Sequence, residues 1–330
     1  MENRISKERC IELKKSYLIL AHHLPSQLKR LILALEDGES QFFIHLDKKA
    51  DISEFSKILT DESVIFIEER HSCAWGDFSI VEATLSLLEA FISTPNGSEY
   101  GILLSGQDYP LVSNMNINSF LTNRNGINFI DASPVEEIWG LGEISRRIEW
   151  YRITLGYEKK DDAVFLPHID SNDVHTDQLI GGLMMLLFDQ RFDIGSKKQA
   201  LKLISKPRVL PKIPLYGGKQ WFALTSDVIS KLLSFVKANQ EYFRYHIFTH
   251  VPDEIFFSSI MRHLQQLDLT IKIEGSLTYV KWDNEEAMTF NISEQSALKE
   301  ASKTHLFARK FHPDVSRETL TIIDKNRTSI

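Results

Sequence analysis

Along the first 130 positions the apolar residues alternate between two periods. "SYLILAHH" (16–23) is a short, nearly continuous apolar run suited to a buried parallel strand. "SQLKRLILALED" (26–37) instead places Leu28, Leu31, Ile32 and Leu35 on one helical face. The alternation continues with strand "QFFIHLD" (41–47), helix "ISEFSKILT", strand "SVIFIEE" (63–69) and a long helix over 78–94. Strand "YGILLSG" (100–106), helix "NINSFLTNR" and strand "INFIDA" complete the series. This order predicts an α/β fold, a mostly parallel sheet flanked by helices. Ligands of such sheets sit at the carboxyl ends of the strands. That singles out His22, His23, Asp47, Trp75 and the turn Ser105-Gly106-Gln107-Asp108.

The pattern loosens over about 131–215. "DASPVEEIWGLGEISRRIEWYR" reads as an amphipathic helix with Trp150 and Tyr151 partly buried, or as an aromatic and arginine-rich surface, Arg146 included, that faces a sugar or peptide. "DSNDVHTD" (170–177) lacks the glycine and terminal glutamate of a calcium loop and reads as a polar surface loop. "KKQALKLISKPRVLPK" (197–212) reads as a solvated helix face with its exit loop, with contact to an anionic lipid or polymer as the other reading. A glycine pair, strand "WFALT", a helix from Ser226 and strand-like "DLTIKI" and "LTYVKW" follow. Without a repeat or low-complexity linker, residues 1–330 are expected to form one domain of two lobes sharing a core. The two lobes are expected over about 16–130 and about 131–315, followed by a tail over 316–330.

The 330 residues are 43% hydrophobic and 25% charged, as in globular chains, with a net charge of −7. That balance excludes a nonspecific nucleic-acid binder, which needs a positive surface to displace counterions. The two cysteines, Cys10 and Cys73, make no disulfide framework and predict free thiols in a reducing compartment. The charged start "MENRISKERCIELKK" lacks the apolar core of a signal peptide, and no window is long enough for a membrane span. The expected location is cytoplasmic, with peripheral contact to the inner face of the membrane left open.

"FTHVPDEIFFSSIM" (248–261) sets Asp253 and Glu254 directly before an apolar run. Acids suit a first helical turn, where they face the positive end of the dipole. One of them could equally be a base whose apolar surroundings tune its pKa. His246, His250 and Glu254 stand four apart, so a metal-dependent hydrolase is one alternative, although Pro252 interrupts any helix there and no H-E-x-x-H occurs. No Asp-x-Asp is present to hold a divalent cation on a diphosphate, and no G-x-G-x-x-G, P-loop or G-x-S-x-G is found. Arg309 and Lys310 in "LFARKF" could neutralise a diphosphate, or form a solvated basic pair on a C-terminal helix.

Six blocks, "YLILAHHLPSQLKRLILAL…FFIHLDKK", "CAWGDFSIVEATLSLL", "YGILLSGQDYPL", "GGKQWFALT", "PDEIFFSSI" and "LFARKF", resemble in sequence and order the core-2/I-branching glycosyltransferases. That family includes β-1,6-N-acetylglucosaminyltransferases and peptide O-xylosyltransferases. The resemblance covers about 16–315. It implies a GT-A fold and inverting, metal-independent transfer from a UDP-sugar to a glycan or lipid-linked glycan hydroxyl. It further implies Glu254 as catalytic base, with Asp253 capping the following helix, and Arg309 and Lys310 on the diphosphate. Asp47 falls near the uridine, Ser105 where some animal members carry cysteine, and Trp282 on the acceptor side. His22 and Trp75 join the donor set, and Trp221, Arg146 and Asp108 the acceptor set. The second diphosphate arginine of the N-acetylglucosaminyl branch falls near Ala287 or Met288, and "GGKQWFALT" and "ARKF" look closer to the xylosyltransferase branch, so UDP-GlcNAc and UDP-xylose both stay open. A non-catalytic carbohydrate-binding protein on the same fold is the remaining alternative.

Overall fold

The computed structural model describes residues 13–95, 97–156, 162–169, 176–283 and 286–328. Cys10 and most of the acidic 170–177 segment lie outside them. The predicted strands appear as β1 (Lys15–Ala21), β2 (Gln41–Leu46), β3 (Val64–Phe66), β4 (Tyr100–Ser105) and β6 (Ile127–Ile130), and a short strand not predicted, β5 (Asp108–Pro110), follows the turn after β4. The central seven-stranded sheet runs Lys272–Glu274, β6, Phe222–Thr225, β4, β1, β2, β3. Only Phe222–Thr225 is antiparallel to its neighbours. The α/β reading with a mostly parallel sheet flanked by helices therefore holds.

Because successive strand residues face opposite sides, β1 sends Tyr17 and Ile19 into one core and Leu18 into the other. Helix Pro25–Leu35 covers the first face with the stripe Leu28, Leu31, Ile32 and Leu35. Helices Ser79–Ser93, Ser226–Ala238 and Phe256–Leu267 cover the second. Each such apolar side chain contributes about 1.5–3 kcal/mol when fully buried. The expected tail is not a tail. Helix Arg317–Thr328 buries Leu320 and Ile323 in the first core, and Arg327 donates to the carbonyls of Val112 and Ala34.

Three further expectations are corrected. The helix read into "ISEFSKILT" is confined to Ile52–Ser56. The segment from 131 to 152 is not one amphipathic helix: it breaks into Val135–Ile138, Leu141–Ile144 and the π-helical turn Ser145–Glu149, then extends as strand Tyr151–Thr154. Gly140 and Gly142 weaken a continuous helix there. Finally, "LFARKF" is not helical. Phe307–Arg309 is the middle strand of a second sheet, parallel to Thr278–Val280 and antiparallel to β5, with Arg309 opposite Asp108.

Strands Tyr151–Thr154 and Ala163–Leu166 form a hairpin. It packs with helices Thr176–Phe188 and Ile194–Ile204 around a small core of its own, including Tyr151, Val164, Leu186 and Ile204. No described helix is long and apolar enough to cross a membrane.

Candidate active site

The carboxyl ends of three central strands supply one wall. His22 and His23 leave β1 with their rings 3.9 Å apart. Burial holds His22 below its ordinary pKa, and burial with the neighbouring His22, His312 and Lys310 pushes His23 to about 4. Both imidazoles are therefore neutral at pH 7. Asp47 leaves β2, and its carboxylate accepts the Lys49 N–H at 2.8 Å and the Cys73 N–H at 3.0 Å. That ties the end of β2 to the segment carrying Trp75. Cys73 is free, and burial pushes its thiol up to about 12, so it is no nucleophile. Ser105 ends β4 and donates its hydroxyl and its N–H to Asp108, each at 2.9 Å.

Asp108 is fully buried, and burial lifts its pKa against the pull of Arg309 and the Ser105 donors. The Arg309 guanidinium approaches it to 3.6 Å and lies over the ring of Trp221 at 4.1 Å. Stacking of this kind is worth up to about 2 kcal/mol where water is excluded. Burial lowers the Arg309 pKa, and the charges of Asp108 and Asp253 oppose that. Two expectations change here. Asp108 and Trp221, assigned to the acceptor, are buried around Arg309 and offer it a counter-charge and a platform instead. Lys310 follows on the outside. It lines an open groove of about 480 Å³ with Asp283, Glu286, Ala287, Met288 and Thr289. Trp282, half exposed, sits in the short hairpin beside that groove.

The third wall is the turn that opens helix Phe256–Leu267. Val251 takes a left-handed conformation (φ 50°), its N–H donating to the Gly76 carbonyl at 3.0 Å, and Pro252–Glu254 then form a single 3-10 turn. Gly76 is itself at φ 69°, and a side chain there would press on the His250 ring. On the other side, Gly218 donates to the Glu254 carbonyl at 2.9 Å, and a Cβ on Gly218 would run into the Asp131 backbone. The glycine pair is thus what lets the chain close on this turn. Ile255, Phe256 and Phe257 are buried beneath it.

Asp253 does not cap the helix. The residue at that position is Ile255, with no side-chain cap, and Oδ1 of Asp253 meets no hydrogen-bond donor among the described residues. Burial and the adjacent Glu254 push its carboxyl up to about 7, against Arg147, Arg309 and its own backbone N–H. Two acids around one guanidinium would carry a net negative charge inside the protein, and a proton on Asp253 removes it. Glu254 is half-buried and accepts from Arg147 at 2.9 Å. Burial raises its pKa, Arg147 pulls it down through charge and hydrogen bond, and Glu143 adds to the rise. Arg147 also donates to Glu143 at 2.6 Å and lies over the Trp139 ring at 4.2 Å.

Sequence reasoning missed Arg147 and Asp77. The i,i+4 spacing of Glu143 and Arg147 was a visible signal, but the contact to Glu254 spans 107 positions. Asp77 binds Arg152 and Thr154, and Arg152 also donates to the Trp75 carbonyl at 2.9 Å. Trp75 and Arg146 meet around His250 and Phe165: the Trp75 and Phe165 rings stand edge-on to the His250 ring, and Arg146 covers Phe165 at 4.2 Å. The hydrolase set is not assembled. His246 is fully buried against Thr249, Tyr242 and Phe256, while His250 points into the aromatic cluster. Among the described residues no three His, Cys, Asp or Glu side chains converge as a cation site.

Two outcomes follow from these charges. With its pKa raised from the unfolded value near 4, Asp253 favours folding when protonated, and that contribution is lost as pH rises toward 7. Asp253→Asn should therefore gain thermal stability over the native chain progressively from pH 4 to pH 7 and hold the gain at pH 8, on the order of 5–10 °C, in melting curves recorded across pH. Arg147→Ala removes the group that lowers Glu254, so the Glu254 carboxyl resonance should titrate at higher pH than in the native chain.

Residues 16–161 match the family model described as Core-2/I-Branching enzyme. Xylosyltransferase 2 of Rattus norvegicus is 23% identical over 334 residues, covering 94% of this chain and 33% of that protein. The β-1,3-galactosyl-O-glycosyl-glycoprotein β-1,6-N-acetylglucosaminyltransferase 4 of Danio rerio is 21% identical over 251 residues, covering 75% of this chain and 49% of that protein. The chain thus spans about a third of the length of the xylosyltransferase it matches. A crystal structure of mouse xyloside xylosyltransferase 1, apo form, covers 89% of this chain and 97% of that chain at 10% identity, with a TM-score of 0.34. Residues 16–161 are thus similar to Core-2/I-Branching enzymes, and the relatives that match the chain are named glycosyltransferases.

Proposed function

We propose that this protein is an inverting glycosyltransferase of GT-A type that moves a sugar from a UDP-sugar to a hydroxyl of a glycan acceptor, without a divalent metal. The reading rests on one observation above all: Glu254 sits on a turn held by Gly76 and Gly218, floored by Ile255, Phe256 and Phe257, beside a cluster of cations. Family resemblance and the named relatives support the reaction class. The absence of Asp-x-Asp in the sequence, with Arg309 and Lys310 near the strand ends, supports the metal-free form.

In this mechanism the Glu254 carboxylate takes the proton of the acceptor hydroxyl as its oxygen bonds to the anomeric carbon. The bond from that carbon to the UDP oxygen breaks, and the electron pair leaves with the diphosphate. Lys310 lines the groove and meets the developing charge directly. Arg309 acts from within, its field strengthened by the low dielectric around Trp221. When Glu254 becomes neutral, Arg147 keeps Glu143 as its counter-ion, so proton uptake strands no charge. UDP-GlcNAc is the proposed donor, with UDP-xylose the second to screen, and a lipid-linked glycan is the proposed acceptor.

Glu254→Gln should lower kcat by about 100- to 10,000-fold while leaving UDP affinity nearly unchanged in calorimetry. Loss of UDP binding with transfer retained would remove Glu254 from the role of base. Arg309 is a poor probe, because its loss strands the buried Asp108, a change that costs about 3–5 kcal/mol. Lys310 is the cleaner one. Lys310→Ala should weaken UDP binding by roughly 10- to 100-fold, the worth of a hydrogen bond to a charged group, and EDTA should leave activity unchanged. Strong inhibition by EDTA would overturn the metal-independent mechanism.

A further inference from the structure

We propose that the outer face of helix Thr176–Phe188, with the basic helix Ile194–Ile204 behind it, is a docking surface for an anionic lipid bilayer. The helix is apolar on both sides. Its inner stripe, Leu179, Gly182, Leu183 and Leu186, packs on the hairpin, where Gly182 lies so close to Leu166 and Val164 that a Cβ would meet both. The outer stripe would ordinarily be polar. Here it is Ile180, Met184, Met185, Leu187 and Phe188, all exposed, with Phe188 at 77%. From Leu179 to Phe188 no residue carries a charge. Ile194, 73% exposed, continues the patch at the start of the next helix.

Basic side chains rim this patch. Lys197 donates to the Leu187 carbonyl at 2.7 Å, so its ammonium stands at the end of the apolar stripe. Lys198 and Lys202 follow, exposed, on the same helix. Residues 176–212 hold seven basic and three acidic side chains, a balance of +4 within a chain of net charge −7. Two of the three acids are engaged: Asp189 binds Arg191, and Asp193 caps Ile194–Ile204 by accepting from the Ser196 N–H. Thirteen residues are too few to span a bilayer. An apolar face rimmed by lysines is instead the composition of a helix lying in the interfacial plane.

Charge decides the occupant. A second copy docking through this face by two-fold symmetry would set lysines against lysines, whereas an anionic headgroup layer complements them. The same hairpin carries Arg152, which holds the Trp75 carbonyl and Asp77 beside the Glu254 turn. Arg146, an acceptor residue in the proposed reading, covers Phe165 of the same hairpin, so a bilayer under the helix deepens the lipid-linked acceptor reading. Vesicle binding needs no substrate, so the two can fail separately.

The full chain should float with phosphatidylcholine vesicles containing phosphatidylglycerol and not with phosphatidylcholine alone, and high salt should release it. The exposed pair Met184→Asp/Phe188→Asp, and separately Lys198→Glu/Lys202→Glu, should each weaken that binding roughly tenfold or more with an unchanged circular dichroism melt. No flotation with anionic vesicles, or equal flotation of native chain and variants, would overturn the proposal. So would a dimer that Phe188→Asp dissociates in a chain that ignores the vesicles.

Discussion

A guanidinium buried between two carboxylates and an indole is the constraint around which the site is organised. Arg309 reaches inward from the middle strand of the smaller sheet, faces Asp108 across an antiparallel register, and rests on Trp221 just before the antiparallel strand of the larger sheet. Its field also reaches Asp253 and His22. A buried cation is tolerated only with compensation close by. The compensation here comes from Asp108 on β5, with the Trp221 indole as platform, so Arg309 is accommodated only when the two sheets are brought together. The proton on Asp253 follows from the same constraint: one guanidinium balances one carboxylate, and the second, lacking a donor for Oδ1, stays neutral until near pH 7.

Backbone strain is placed at the same locations. Outside glycine, positive φ occurs among the described residues at Leu24 and Val251. Each precedes a proline, Pro25 and Pro252, and each opens a helical segment beside the site. Left-handed conformations cost on the order of 1–3 kcal/mol for such residues. They persist because the surroundings over-determine them. Val251 is held through its N–H by Gly76, and Leu24 through its carbonyl by Gln27 and Leu28. One turn aims His22 and His23 off β1, and the other aims Asp253 and Glu254 over the aromatic floor.

Much of the scaffold was legible because it rests on local periodicity. The stripe Leu28, Leu31, Ile32 and Leu35 packs as its spacing predicts, and the apolar runs at 16–23, 41–47 and 100–106 are the central strands. What was not legible depends on register. "LFARKF" carries two aromatic residues, two cations and no helix breaker, and only its pairing with Asp108-Tyr109-Pro110 makes it a strand with Arg309 turned inward. Asp108 and Trp221 look like ligand-facing residues in the sequence for the same reason, since a polar or aromatic residue near a strand end gives no sign of which neighbour will cover it. Glu254 was flagged by its apolar context, but Arg147, 107 positions away, needs the π-helical turn over Ser145–Glu149 to reach it.

In the proposed mechanism the adjacent cations Arg309 and Lys310 divide one task. The Arg309 guanidinium, mostly buried and stacked on an indole, is held in place, and its field at low dielectric is long-ranged. The Lys310 ammonium lines an open groove, and its flexible four-carbon stem suits it to follow an oxygen whose charge changes during reaction. The Lys310 backbone pairs with Met288 and Phe290, and its side chain lines the groove. Ala287 and Met288 line that groove without adding charge. In the proposed mechanism, direct contact of Lys310 with a diphosphate and the static field of Arg309 act on the same developing charge.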